Sequence, residues 1–352
     1  MKVIFYGGCH AAALRRIFEK FAVGVSSVAH LTSYSLIRAG KPVPYDEFLN
    51  FDAVVFSPIR NKQGYNTHQL EEHLDKAGRL RVKFPWLQWE GYHPGYQSSG
   101  RHDWYSGWWP SSLEIAAREH QTFEDFVQSI YEGDLLADIS LENVEKATLR
   151  FRDREFDCDV KVAQYVHENY RKSRLFLTPD HAATVLYKPI ATQVANLLGV
   201  KLDPAFYEMS DEIQHGIRMP ILSSVRRALE LEFHGGEFEN KLIFRSDLLN
   251  QTEFLRLVYS ADEIVVARAR DPTRIYVGSE RFSVPKGTVL FVRRSKESNR
   301  KGFASCSYVA GSNAPVAINA LKGKTVEMWP PHWTFGRSLK PVAHDGENTT
   351  IA

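Results

Sequence analysis

The sequence predicts an α/β protein: a parallel-sheet core flanked by helices, with a helical insertion and a C-terminal β-rich appendage. Three observations lead there. Short apolar strands alternate with helical stretches through the first third of the chain, as in a parallel sheet covered on both faces. Helical periodicity then fills most of residues 122–170. From about Ala261 the texture turns to short β-rich runs separated by Gly, Pro and Ser. At 352 residues the chain exceeds one typical core, so two units are expected, residues 1–260 and 261–352.

The first strand, Lys2 to Tyr6, runs into Gly7-Gly8-Cys9-His10 and then into a helix over Ala11–Phe21. The glycines allow a tight turn, and Leu14, Ile17, Phe18 and Phe21 recur as a core-facing helical stripe. A strand over Ala53–Phe56, a helix over Thr67–Gly78 and a strand over Leu80–Phe84 follow. A long loop, Phe84–Ser112, carries five of the seven tryptophans; it reads either as a functional lid or as aromatic cover for the core. Helices are expected over Thr122–Tyr131, Leu141–Asp153 and Asp159–Tyr170, then a strand over Arg174–Leu177. Thr178-Pro179-Asp180-His181 has the pattern of a helix start, with Thr as N-cap and Pro at the first helical position, and this helix runs to Leu198 before Gly199. In the appendage, strands are expected over Glu263–Ala267, Arg274–Val277, Thr288–Val292 and Thr325–Met328, in a sandwich-like arrangement.

The composition excludes several classes. A net charge of +2 favours neither a nucleic-acid partner nor an acidic tail. Three unclustered cysteines, Cys9, Cys158 and Cys306, give no disulfide framework and no zinc signature, so no metal is expected. No signal peptide and no apolar run long enough for a transmembrane segment is visible, so a cytoplasmic location is expected. Walker, GxGxxG, HExxH and GxSxG patterns are absent.

The chemistry centres on two strand-to-helix junctions. A thiol at Cys9 meets unpaired N–H groups and the positive end of a helix, which favour the thiolate and a bound oxyanion; a small buried cysteine is the other reading. His181, at a second helix start, would have its protonated form disfavoured by the dipole, leaving a neutral base near pH 7; a merely packed histidine fits equally. His10 is expected to point away from Cys9. In Gly91-Tyr92-His93-Pro94 the imidazole either orients a hydroxyl or belongs to a turn. Arg79, Arg81 and Lys83 share one strand face, which implies an edge strand or a bound anion. Arg60 and Lys62 follow the Ala53–Phe56 strand at the edge where such folds bind ligands.

These motifs, with Phe56-Ser57-Pro58-Ile59-Arg60, Phe84-Pro85, Arg154-Glu155, Phe176-Leu177 before Thr178, and Ile217-Arg218-Met219-Pro220, resemble in order the WcbI-type polysaccharide-biosynthesis family. Its members are capsule-cluster proteins that bind coenzyme A and are proposed to O-acetylate a sugar. The resemblance covers residues 1 to about 260. It implies a CoA-dependent O-acetyltransferase with acetyl-CoA as donor and a carbohydrate acceptor, the thioester near Cys9, and His181 or His93 as base. Gly8, His10, Arg60, Lys62 and Tyr65 are then expected at the cofactor, and Tyr92, Arg101 and His102 at the substrate. The family usually reads Asn-Cys-Gln where this chain has Gly8-Cys9-His10, and the β-rich tail has no counterpart in it. Two other readings stand beside this one. One is an SGNH-like esterase or deacetylase, with Cys9 for serine and with Thr178 where Asp would precede the histidine by three. The other is a non-catalytic glycan-binding protein using Trp329, Trp333 and the Trp86–Trp109 cluster. Homo-oligomerisation is open.

Overall fold

The computed structural model describes residues 1–60, 65–98, 108–120, 122–214, 216–240 and 249–259, together with the strands of the C-terminal region. Lys62, Arg101, His102, Trp329 and the last residues from His344 lie outside the described residues.

The core is a parallel sheet of four strands: β1 (Lys2–Gly7), β2 (Ser27–Thr32), β3 (Ala53–Phe56) and β4 (Leu80–Lys83), in spatial order β2-β1-β3-β4. Alternation along β1 and β3 separates two apolar layers. Val3, Phe5, Ala53 and Val55 face the helix α1 (Cys9–Phe21) through Leu14, Ile17 and Phe18. Ile4, Tyr6, Val54 and Phe56 face α2 (Thr67–Lys76) through Leu70 and Leu74. Each layer withdraws large side chains from water, and truncating one such leucine to alanine costs about 2–5 kcal/mol. Strand β2 is not anticipated from sequence. It lies at the sheet edge with its side chains half-buried, and so lacks an apolar run.

Of the two readings of the cationic strand, the structure takes the edge. β4 closes the sheet, Arg81 pairs with Asp75 at 2.7 Å, and Lys83 pairs with Glu71 at 3.0 Å. The partner carboxylates come from α2, so these two cations serve the fold.

The helical insertion comprises Ser111–Glu119, Phe123–Tyr131, Ser140–Glu155 and Ala163–Asn169. Two sequence expectations are corrected beyond it. Thr178-Pro179-Asp180-His181 does not start a helix; it turns a tight hairpin between β5 (Phe176–Thr178) and β6 (His181–Ala182). Helix α3 (Thr184–Leu198) begins only after it, and its first N–H, of Thr184, donates to the Glu212 carboxylate at 2.8 Å. The cap therefore comes from a distant segment, which frees Thr178 for the hairpin. As expected, α3 ends at Gly199, with φ 68°.

The second correction concerns the C-terminal region. Its described strands form one antiparallel sheet of seven, with no second layer among the described residues. The order is Glu280–Val284, Thr273–Val277, Thr325–Met328, Ala304–Ser312, Val289–Arg294, Ile264–Ala269 and Trp333–Ser338.

Candidate active site

The β1–α1 junction is shaped by its glycines unequally. Gly7 has φ 149°, and a Cβ there would come within 3.2 Å of the Ala11 Cβ, so this position requires glycine. Gly8 is the N-cap and has no side chain to close it. A Cβ on Gly8 would lie 3.4 Å from the Trp86 ring and 3.9 Å from that of the exposed Tyr34, so these two aromatics wall the entrance to the junction. The first intrahelical bond of α1 is Ala12 N–H to Gly8 C=O. The N–H groups of Cys9, His10 and Ala11 therefore precede the helical ladder and are available to a negatively charged oxygen.

Cys9 is half-buried. Burial pushes its thiol up, but the imidazoles of His10 and His181, acting by charge and hydrogen bonding, override it and bring the value down to about 5. The structure thus brings Cys9 and His181 together, joining the two chain segments as the sequence suggested. His10 differs from expectation, since its ring acts on the neighbouring sulfur. First-turn side chains tilt back toward the helix N-terminus. This ring is fixed by a 3.0 Å hydrogen bond between Nδ1 and the Tyr187 hydroxyl and by an edge contact with Trp86, centroids 4.8 Å apart.

His181 is also corrected in its charge. With no helix dipole behind it, its neighbours decide. Nδ1 lies 3.0 Å from the Asp180 carboxylate and 2.8 Å from the Thr178 hydroxyl, which itself donates to Asp180 at 2.9 Å. Burial pushes His181 down, but the Asp180 carboxylate and then Cys9 raise it to about 10. Asp180 feels burial upward and His181 downward, and ends below its usual range. With Cys9 below and His181 above their usual ranges, the group is a thiolate, an imidazolium and a carboxylate in sequence, with Nδ1 of the ring engaged by the hairpin. His181 keeps 18% of its side-chain exposure and Asp180 21%, so the cluster is reached from solvent.

The remaining predicted residues are distributed differently. Tyr92 is core. Its hydroxyl serves the carbonyls of Tyr170 at 2.7 Å and Ser173 at 3.0 Å, and its ring packs edge-on to Trp89. His93 is buried at 1% exposure, and burial followed by the Arg174 charge pushes it down to about 3. Phe84, Leu87, Trp89, Tyr96 and Trp108 are buried with them, so the described part of the long aromatic loop covers the core. Gly91 is where the Trp89 ring passes, since a Cβ there would sit 2.1 Å from it. That loop also buttresses the hairpin, because Trp89 N–H donates to Pro179 C=O at 2.7 Å. Arg60 is exposed and pairs with Asp157 at 3.0 Å. The Tyr65 hydroxyl is held by the carbonyls of Leu36 and Lys41, so it braces the segment after β2.

Asp180 and Tyr187 are site residues to which sequence reasoning gave no role, and Trp86, expected only in the glycan-binding reading, stands against His10. The first had a signal: it adjoins His181 in a motif that serves a hairpin as well as a helix cap. Among the described residues no group of three or more His, Cys, Asp or Glu side chains is arranged so that it could hold a metal ion.

A family model described as the polysaccharide biosynthesis enzyme WcbI matches residues 2–203. Among solved structures, the chain is similar to one described as WcbI, a novel polysaccharide biosynthesis enzyme, in its native form without a disulfide bond between coenzyme A and a cysteine. The two share 18% identity and a TM-score of 0.59, over 74% of this chain and 88% of that one. At that identity the likeness speaks for a shared fold. No curated protein sequence matches the chain.

Proposed function

Since the chain belongs to the WcbI polysaccharide-biosynthesis enzyme family, we propose that it is a CoA-dependent O-acetyltransferase acting on a sugar of a surface polysaccharide. The observation that carries this reading is the Cys9–His181–Asp180 series, an activated nucleophile at the open end of a helix. A half-buried sulfur, with Trp86 and Tyr34 beside the adjoining Gly8, suits the thioester end of a long, flexible donor. The C-terminal sheet has no assigned part in this chemistry.

Cys9 Sγ attacks the acetyl carbonyl of the donor, and the N–H groups of Cys9, His10 and Ala11 receive the charge that develops on its oxygen. The carbon–sulfur bond to coenzyme A breaks, and the His181 imidazolium gives its proton to the departing thiolate. His181, now neutral, takes the proton of the sugar hydroxyl as that oxygen attacks acetyl-Cys9. The ester forms, the bond to Sγ breaks, and the thiolate–imidazolium pair is restored. Asp180 and Thr178 hold the ring through both halves. His93, enclosed and held neutral, has no part in this route. Direct attack of the sugar on the thioester, with Cys9 only positioning it, is the competing route.

The test is rapid quenching of the protein with acetyl-CoA and no acceptor, followed by mass spectrometry of the Cys9 peptide. An acetyl group on Cys9, transferred when a glycan acceptor is added, is the expected result. Turnover without it overturns the covalent route, and failure of the protein to bind coenzyme A or acetyl-CoA in calorimetry overturns the CoA reading. A second reading has one observation in its favour: Asp180 supplies the carboxylate that Thr178 does not, completing a hydrolase-type triad. Cleavage of a chromogenic acetate ester without coenzyme A would select it.

A further inference from the structure

Beside the triad lies a second polar cluster that the chemistry above does not use. Arg174 is anchored by one edge of its guanidinium: Nε donates to Phe176 C=O at 3.2 Å, and Nη2 donates to the carbonyls of Leu177 and Met219. Its Nη1 is buried without a hydrogen bond and has only a long ion pair, 3.8 Å, to the Glu237 carboxylate. Arg218, on β7 (Ile217–Arg218), presents a like charge to Arg174, and its Nε is also buried and unbonded. His93 is 1% exposed, with the Met219 backbone acting on its ring but no well-aligned hydrogen bond at either nitrogen; the Tyr96 ring packs edge-on to it, and the Tyr96 hydroxyl is buried and unbonded.

Two guanidinium groups, an imidazole and a hydroxyl thus stand next to one another, and among the described residues several of their buried polar atoms make no hydrogen bond. Buried donors and like charges left this way are costly unless something negative completes them. Among the described residues the carboxylates nearby are shared with other groups or stand at long range. Glu237 also faces His234 at 3.1 Å, Glu212 is engaged at the N-terminus of α3, and Glu239 stands across the ladder from Arg218 on β8 (Glu239–Asn240).

We propose that Arg174 and Arg218, with His93 and Tyr96, form a subsite for an anionic group, a carboxylate or a phosphate, carried by the acyl acceptor. The assignment to the acceptor rests on the acyl-transfer reading and on position. The carbonyls that anchor Arg174 belong to Phe176 and Leu177, immediately before Thr178, whose hydroxyl holds His181. An acceptor fixed by its negative group there lies on the side of the residue that takes its hydroxyl proton. Forked guanidinium donors suit both oxyanions.

The test is calorimetric titration of the full chain, without acyl donor, with glucuronate, glucose 1-phosphate and glucose. One or both acidic sugars should bind and glucose should not; which of them binds identifies the anion. Arg218→Gln should weaken that binding about tenfold or more. Glu237→Gln, which removes a competing carboxylate, should tighten it about threefold, a gain that a merely structural role would not give. Affinity for coenzyme A should be unchanged in both variants. Acidic sugars binding no better than glucose, or no response to either substitution, overturns the subsite. A parallel loss of coenzyme A affinity in Arg218→Gln overturns its assignment to the acceptor and gives the arginines to the donor phosphates. Acidic-sugar binding without any acyl transfer would leave the subsite standing and remove the transferase reading instead.

Discussion

Cys9 and Cys158 are both withdrawn from solvent, yet their thiols move in opposite directions. Around Cys158, burial acts first and Asp157 adds to it, so the thiol rises to about 12 despite Lys161 and Lys83. Around Cys9 burial acts the same way, but two imidazoles outweigh it and the thiol falls to about 5. The histidines repeat the contrast. His181, with Asp180 at 3.0 Å, rises to about 10, whereas His93, with Arg174 for a charged neighbour, falls to about 3. Burial alone therefore does not single out the reactive region. The sign of the neighbouring charges does.

The contrast is broken most severely at the sulfur. Cys9→Ala should reduce acyl transfer by about a thousandfold or more if the covalent route operates, and activity within about tenfold of wild type would rule that route out. Cys158→Ala should leave transfer unchanged, which steady-state assays with both variants would establish. Next comes the carboxylate. Asp180→Asn should lower kcat about a hundredfold or more and move the His181 titration down by one to three pH units, since the opposite charge that holds its proton is gone; the pH profile reports both effects.

Wild-type kcat/KM should trace a bell. Its acid limb falls near pH 5 as the thiolate takes a proton, and its alkaline limb near pH 10 as His181 loses the proton needed by the leaving thiolate. The smallest effect is expected at Tyr187→Phe. It removes one hydrogen bond to His10, of about 1 kcal/mol, and should slow transfer severalfold without changing fold or thermal midpoint markedly.

Much of the frame is legible in the sequence because periodicity reports burial directly. The apolar run of β1, the stripe from Leu14 to Phe21 and the strand over Ala53–Phe56 all stand where their patterns place them. The hairpin at Thr178–His181 is not legible. Thr, Pro and Asp favour a helix start and a tight turn for the same reasons, a side-chain acceptor and a fixed φ, and only the remote Glu212 cap decides between them. The charge of His181 follows from that decision, since a hairpin sets Asp180 against the ring where a helix would have set a dipole behind it. His10 escapes a reading from spacing because its direction depends on Tyr187, 177 residues away. Tyr92 is misplaced for a similar reason: nothing local shows that its hydroxyl serves carbonyls after the last helix of the insertion.

The ionisation of Cys9 tests the account most directly. The rate of its alkylation by iodoacetamide, followed by mass spectrometry of its peptide across the pH range with the Cys158 peptide as internal control, should show half-maximal reactivity near pH 5 and a plateau through neutrality, while Cys158 stays unreactive. A Cys9 midpoint near 8.5, the value of an ordinary thiol, would contradict the thiolate–imidazolium pair and with it the proposed nucleophile.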